Sequence, residues 1–303
     1  MLAVLLDRHS RIAIPPETQF YTEFLPRMRA GGEVVTSREQ KVQRALAFPR
    51  IADLRLDAGE VLARFTDYEN SYANLLRAIL ETYGARAGKD LVGEKSPKHI
   101  LHVAELLRDF PGARVICIVR DGRDVARSLL KVPWAEPGNR RRLGIFCMEW
   151  CDSVRLALGY RSQLPGDSFW LVKYENLLAN PEQELAAICV FLGLEFEREQ
   201  LLLTGNSGVV PSWEAGWKVN ASQSLNAGRI EAWRQEAEPA QIWEMNSMMG
   251  TMLRRIGYRD TGLGGCPLTI RLKYLAKKIP YLRPLRPISL LGLKMLRWFF
   301  PAV

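Results

Sequence analysis

The sequence predicts an α/β fold in which a parallel central sheet is flanked by helices on both faces. Short apolar stretches rich in β-branched residues, such as residues 113–119 and 168–173, are typical of buried strands. Segments with apolar residues at helical spacing separate these stretches, and strands that alternate with helices pair in parallel. The 303 residues, 48% of them hydrophobic, suffice for one large core.

Local patterns predict the elements of the first half in chain order. They are a helix at 1–9, a strand at 11–15, mostly helix over 38–88, a strand at 90–93 and a helix at 97–107. Between 38 and 88, charged and apolar positions alternate at helical period. Pro97 favours a helix start, because proline is tolerated at the first helical position. The two strands are predicted to lead to Glu17 and Lys95.

The elements of the second half follow from the same patterns. They are a strand at 113–119, a helix soon after it, a long amphipathic helix at 140–161, a strand at 168–173, and helices at 181–192 and 229–256. Asn180 and Pro181 supply a cap and a first helical residue, and Gly257 is expected to close the last helix.

The segment around Arg120 has the pattern of an anion site. Arg120 follows the apolar strand 113–119 directly, and Ser128 lies two helical turns further on. Carboxyl ends of parallel strands that meet a helix N-terminus bind anionic ligands in α/β folds, and a guanidinium suits phosphate oxygens. A structural ion pair between Arg120 and Asp124 is the alternative, and this segment alone leaves the two equally favoured.

Four motifs in order resemble the sulfotransferases that use 3′-phosphoadenosine-5′-phosphosulfate (PAPS), closest to the glycan-modifying, tyrosylprotein and bacterial branches. The motifs are IPPETQFY at 14–21, VGEKSPKH at 92–99, RDGRD at 120–124 with Ser128, and LVKYENL at 171–177 followed by FLGL at 191–194. The similarity extends from about residue 1 to about residue 258. It implies a P-loop-NTPase-like three-layer fold and sulfuryl transfer from PAPS to a hydroxyl of a glycan, lipid or small molecule.

The resemblance also implies roles for individual residues. Glu17 is expected to be the base and Lys95 to stabilise charge on the sulfuryl group. Partial desolvation of Glu17 would raise its pKa toward that of a useful base. The donor, and its product 3′-phosphoadenosine-5′-phosphate (PAP), are expected to contact a set of five residues, namely Arg120, Ser128, Tyr174, Ser224 and Asn226. Glu94 is expected to anchor structure, and His99 and His102 to be packed or solvated. No metal is expected.

The opening of the chain departs from the family pattern. In the family, a first strand and a Pro-Arg-Ser-Gly-Thr-type loop that binds the 5′-phosphosulfate precede a helix, and residues 1–10 resemble that helix. We therefore expect this strand and loop to be missing, either because Met1 is an internal start or because the homologue is divergent. Losing three charge-assisted donors of about 1.5–3 kcal/mol each would weaken donor binding roughly a thousandfold or more.

The net charge of +9 is concentrated in the C-terminal tail, residues 262–303. This tail holds eight basic residues and no acidic one, together with many apolar and aromatic residues. We predict a sulfotransferase-like domain at 1–261 followed by this basic amphipathic tail. The tail favours binding at an anionic membrane surface over nucleic acid, although packing on the domain is the alternative.

Composition and motifs also bear on the compartment and on competing functions. Five scattered cysteines without a Cys-x-x-Cys motif favour a reducing, cytoplasmic setting. The basic tail adds the expectation of peripheral attachment to a membrane. A kinase is disfavoured because no Gly-x-x-x-x-Gly-Lys-Ser/Thr motif occurs. The remaining alternative is a degenerate, non-catalytic homologue that binds a membrane or a partner through the tail.

Overall fold

A computed structural model describes residues 1–30, 37–66, 71–132, 141–202, 209 and 227–259. The chain divides into two compact units, each built from two separate stretches. The first unit comprises Met1–Arg120 and Arg155–Ala227, and the second comprises Asp121–Val154 and Gly228–Val303. The predicted boundary at residue 261 and the basic tail lie outside the described residues.

The described elements are given in chain order. Up to residue 120 they are α1 (Leu2–Asp7), β1 (Ile12–Ala13), a π-helical turn (Phe20–Phe24), α2 (Leu25–Ala30), α3 (Arg38–Ala47), α4 (Pro49–Ala52), α5 (Ala58–Arg64), α6 (Tyr72–Arg86), β2 (Leu91–Val92), a 3₁₀ helix (Pro97–Leu101), α7 (Val103–Asp109) and β3 (Val115–Val119). After it they are α8 (Gly122–Leu129), α9 (Arg141–Gln163), β4 (Phe169–Lys173), α10 (Tyr174–Ala179), α11 (Pro181–Leu192), 3₁₀ helices at Arg198–Leu201 and Ala227–Arg229, α12 (Trp233–Glu236) and α13 (Pro239–Arg255).

The described strands form two pairs in the first unit, and both pairs are parallel. β1 pairs with β2 in the register Ile12 to Leu91 and Ala13 to Val92. β3 pairs with β4 over five residues, from Val115 opposite Phe169 to Val119 opposite Lys173. The α/β prediction with parallel strands and flanking helices is confirmed.

Residues 38–88 are mostly helical where the structure describes them, as predicted, and side-chain caps explain where three of the four described helices begin. The hydroxyl of Ser37 accepts a hydrogen bond from the backbone of Gln40 at 3.2 Å and begins α3. Asp57 begins α5 and Ser71 begins α6 in the same way. Such caps satisfy backbone N–H groups that a helix start otherwise leaves without partners.

Two apolar clusters in the first unit support the strand ends. In one, α3–α6 pack against the π-helical turn, burying a set of residues that includes Phe20, Phe24, Val42, Ile51, Val61 and Ile79. In the other, α1 and β1 pack against β4, α10 and α11, where Leu5, Val172, Leu177 and Ile188 are buried. The two clusters therefore fix the carboxyl ends of β1, β2 and β4, from which the next segments begin.

The second unit is organised around the start of α8. Because Gly122 has no Cβ atom, the side chains of Trp150 and Met249 can pack directly against its backbone. A Cβ atom there would clash with them at 2.5–2.7 Å. Arg123 is fully buried, pairs with Asp121 at 2.7 Å and lies with its guanidinium carbon 4.0 Å from the ring centre of Trp233. A buried guanidinium of this kind needs both a counter-ion and hydrogen-bond partners.

Two helix predictions were wrong in extent. The predicted helix 229–256 is interrupted, because Asp124 accepts hydrogen bonds from the backbone N–H groups of Glu231 and Trp233, and Pro239 begins α13 anew. The predicted helix 97–107 is a 3₁₀ helix followed by α7, and the two are separated at His102. In the part of the chain that the structure describes, no helix is both long enough and apolar enough to span a bilayer.

Candidate active site

Glu17 and Lys95 are brought together by the parallel pair of β1 and β2. Glu17 lies in the turn after β1, and Lys95 lies in the turn after β2. The ammonium of Lys95 donates a hydrogen bond to Oε1 of Glu17. The side chains are 11% exposed for Glu17 and 38% for Lys95, so the carboxylate is largely withdrawn from water while the ammonium still reaches it. The two residues that the sequence predicts as base and cation are therefore direct neighbours.

Glu94 joins the segments that carry these two residues. Its Oε1 accepts hydrogen bonds from the backbone N–H of Thr18 at 3.2 Å, from the hydroxyl of Thr18 at 2.9 Å and from the hydroxyl of Ser96 at 2.8 Å. Its Oε2 lies 2.8 Å from Nδ1 of His99, and only 6% of the Glu94 side chain is exposed. Burial raises the pKa of Glu94, but the contacts from His99, Ser96 and Thr18 outweigh burial and hold that pKa below its ordinary value.

The turn after Glu17 is held in an unusual backbone conformation. Gln19 has φ of 52°, in the left-handed region that non-glycine residues seldom adopt. The π-helical turn Phe20–Phe24 begins directly after it, and Phe20 is fully buried. The hydroxyl of Tyr21 donates a hydrogen bond to Asp109 at 2.8 Å, and the ring lies edge-on to His99. The residues that directly follow the candidate base Glu17 are therefore held in a fixed conformation.

Arg120 and Tyr174 meet at the carboxyl end of the second strand pair. The last residues in register are Val119 and Lys173, so Arg120 and Tyr174 are the next residue of each strand. The guanidinium carbon of Arg120 lies 4.8 Å from the centre of the Tyr174 ring. A partly exposed guanidinium stacked on an aromatic ring at this edge fits a ligand with a phosphate and a planar base.

The other predicted donor contacts are less defined. Ser128 is an exposed residue of α8 in the second unit. Ser224 and Asn226 lie outside the described residues. Among the described residues, no group of three or more His, Cys, Asp or Glu side chains is placed to hold a metal ion.

Sequence reasoning missed Thr18 and Ser96, which are buried hydroxyl residues directly after Glu17 and Lys95. Their role depends on the pairing of β1 with β2, since Thr18 and Glu94 are separated by 76 residues in the chain. The available signal was the hydroxyl residue that follows each candidate catalytic residue.

The arrangement has the chemical parts that group transfer to a hydroxyl requires. A largely desolvated carboxylate is able to take a proton, and an adjacent ammonium is able to stabilise developing negative charge. The Arg120 and Tyr174 pair offers a separate contact for an aromatic, phosphorylated ligand. All four side chains follow the carboxyl ends of strands in the first unit, where α/β proteins bind ligands.

Curated relatives resemble parts of the chain. A Caenorhabditis briggsae protein described as "Putative protein-tyrosine sulfotransferase" is 26% identical over 136 residues, which are 44% of this chain and 47% of that protein. A Caenorhabditis elegans protein with the same description is 30% identical over 109 residues, covering 35% of this chain and 41% of that protein. The chain thus spans less than half the length of these relatives.

The fold and the family are shown by two further comparisons. The solved sulfotransferase domain from the curacin biosynthetic pathway superimposes with a TM-score of 0.59 at 21% identity, covering 85% of this chain and 93% of that domain, which shows a common fold. The model of the family described as "Sulfotransferase family" matches residues 1–198, close to two thirds of the sequence. The chain therefore belongs to the sulfotransferase family.

Proposed function

We propose that this chain transfers a sulfuryl group from PAPS to the hydroxyl of an acceptor, with Glu17 as the base and Lys95 as the stabilising cation. The observation that carries the proposal is the direct contact of the Lys95 ammonium with the Glu17 carboxylate. Family membership supports the reaction class, and the fold likeness agrees with it.

The donor PAPS is proposed to bind at the carboxyl end of the second strand pair, β3 and β4. Arg120 would hold the 3′-phosphate with its planar donor fork, and the Tyr174 ring would lie against the adenosine portion. Ser128, Ser224 and Asn226 are proposed as further contacts. PAPS supplies the activated sulfuryl group when it is bound.

The two candidate catalytic side chains would act in concert. Glu17 takes the proton of the acceptor hydroxyl and becomes neutral, which removes the counter-ion of Lys95. The acceptor oxygen would then bond to the sulfur of PAPS while the bond from that sulfur to the 5′-phosphate oxygen breaks, and PAP would leave with the electron pair. The ammonium of Lys95 then has donors available for the negative charge that develops during this transfer. The negative charge that pairs with Lys95 in the resting enzyme would thus be neutralised during the transfer, when the positive charge of Lys95 is needed.

The acceptor is proposed to be a hydroxyl of a glycan, a lipid or a small molecule. Peptide tyrosine is the second candidate, because the curated relatives are described as protein-tyrosine sulfotransferases. Both acceptor classes require the same base and cation, so the site chemistry described above serves either of them.

Binding and turnover of the 303-residue chain test this function. Thermal stabilisation by PAP should exceed stabilisation by ADP at equal concentration, because only PAP carries the 3′-phosphate. Sulfur-35 from labelled PAPS should then appear in one member of an acceptor panel of sugars, lipids, phenols and tyrosine peptides. A larger shift with ADP, or no transfer to any acceptor despite PAP binding, would contradict the proposal. The second result would favour a non-catalytic homologue.

We also propose that residues 262–303 attach the protein peripherally to an anionic membrane on the cytoplasmic side. Eight basic and no acidic residues, interleaved with aromatic and aliphatic ones, support this. The chain should sediment with phosphatidylserine-containing vesicles at low salt and remain in solution with phosphatidylcholine alone. Equal behaviour with both vesicles would refute the attachment.

A further inference from the structure

We propose that Glu94 is a positioning residue that sets the distance between Glu17 and Lys95 by holding Thr18 and Ser96 on one carboxylate oxygen. This inference rests on the proposed function, since it assigns a task within the same site. It goes beyond that function by naming a residue that acts through others and touches neither donor nor acceptor.

Glu94, Thr18 and Ser96 form what we call the clamp, in which one buried carboxylate oxygen of Glu94 accepts hydrogen bonds from residues of two separate segments. Oε1 of Glu94 receives two hydrogen bonds from Thr18, through the backbone N–H and the hydroxyl, and one from Ser96. Thr18 is fully buried and Ser96 is 8% exposed, so water does not readily replace either hydroxyl. The clamp therefore joins the turn after β1 to the turn after β2 beyond the point where backbone pairing ends.

Each clamped residue is one peptide away from a candidate catalytic residue. Thr18 follows Glu17 and Ser96 follows Lys95, and neighbouring Cα atoms are a fixed distance of about 3.8 Å apart. A displacement of either hydroxyl residue therefore displaces the catalytic neighbour by a similar amount. Misplacement of a reacting group by about 1 Å costs on the order of a hundredfold in rate.

His99 completes the clamp from the opposite side. Its Nδ1 lies 2.8 Å from Oε2 of Glu94, which leaves Oε1 to the two hydroxyl residues. The His99 ring is in turn fixed edge-on against Tyr21, which is hydrogen bonded to Asp109. The carboxylate is thus oriented by groups behind it, as a positioning residue must be.

The test compares two threonine variants in the full chain. T18V removes the hydroxyl donor to Glu94. T82V is the matched control, because Thr82 is equally buried in the same unit and its hydroxyl donates to Ala78 at 2.7 Å within α6. We expect T18V to lower kcat about tenfold or more, with unchanged PAP affinity, and T82V to leave both unchanged.

A second variant covers the other arm of the clamp. The Thr18 hydroxyl also accepts a hydrogen bond from the backbone of Phe20, so T18V changes two contacts. S96A removes one described contact, that to Glu94, and should lower kcat in the same direction. Because both variants act through one carboxylate oxygen, the double variant should lose less than the product of the single losses.

The E17Q background separates positioning from plain structural support. If Thr18 acts by placing the Glu17 carboxylate, T18V should have little further effect once that carboxylate is gone. A purely structural role would lower the remaining turnover equally in both backgrounds, and that result would overturn the proposal. So would T18V and S96A variants that match T82V in an active enzyme. A wild-type chain that binds PAP but transfers no sulfuryl group would instead overturn the proposed function, and the inference with it.

Discussion

Replacement of Glu17 by glutamine is the most direct perturbation of the candidate active site. E17Q keeps the shape of the side chain and an oxygen that accepts hydrogen bonds from Lys95, but it removes the negative charge and the capacity to take a proton. If Glu17 is the base, turnover should fall while nucleotide binding by Arg120 and Tyr174 stays intact.

The expected loss of rate follows from the usual contribution of a general base, and the expected loss of stability follows from the exposure of the Lys95 side chain. General-base catalysis contributes about 10²–10⁴-fold, so kcat should fall by that factor, equivalent to roughly 3–5 kcal/mol. The stability cost should be small, because the Lys95 side chain is 38% exposed and its ammonium can turn to water. Loss of such a pair typically costs about 1 kcal/mol or less.

The assay is single-turnover transfer of labelled sulfate from PAPS, combined with calorimetric titration of PAP. E60Q is the matched control, because Glu60 pairs with Arg86 at 2.8 Å in the same unit and carries the same substitution. E60Q should retain the rate of the wild type. An E17Q rate within threefold of E60Q would refute the assignment of Glu17 as the base, whatever the effect on stability.

Three further predictions concern the other parts of the structure. R120M should weaken PAP binding roughly tenfold or more and ADP binding much less, because charge-assisted hydrogen bonds to the 3′-phosphate are lost, and equal losses would contradict this. The depressed pKa of Glu94 means that its contribution to stability is complete above the ordinary glutamate pKa of about 4.3 and is lost as the pH falls toward the folded-state value. Urea unfolding between pH 6 and 3 should therefore show a flatter pH dependence for E94Q, and an unchanged slope would contradict the assignment. D124A leaves two backbone N–H groups without their acceptor and should lower the free energy of unfolding by about 2–5 kcal/mol, whereas a loss below about 1 kcal/mol would contradict it.

The sequence was most informative where local composition decides the structure. The strands at 113–119 and 168–173 appear within two residues of the predicted bounds, because an apolar β-branched stretch between turn residues has few alternatives. The positions of Arg120 and Tyr174 at strand ends follow from this. Those of Glu17 and Lys95 follow from the shorter strands predicted at 11–15 and 90–93, where β1 and β2 form. The parallel pairing that makes two pairs of neighbours out of these four was implied only by the alternation of strands and helices.

Prediction failed where a distant contact decides. Trp233 is separated by 109 residues from Asp124, whose carboxylate accepts its backbone N–H and interrupts the predicted helix. The restart at Pro239 was visible in principle, because Glu238 and Gln241 form a capping box around it. The clamp at Glu94 was not visible, since it depends on two turns that are far apart in the chain.

The interleaved make-up of the two units limits how the chain can be synthesised and divided. Residues 121–154 leave the ribosome long before residues 228–259, against which they pack within the second unit. Until then, Gly122 lacks the packing of Met249 from α13, and Arg123, whose counter-ion Asp121 is close in the sequence, lacks the ring of Trp233 from α12. In a nascent chain, the packing around the start of α8 therefore stays incomplete while the intervening residues 155–227 are synthesised. For the same reason, no single cut in the sequence can release either unit whole.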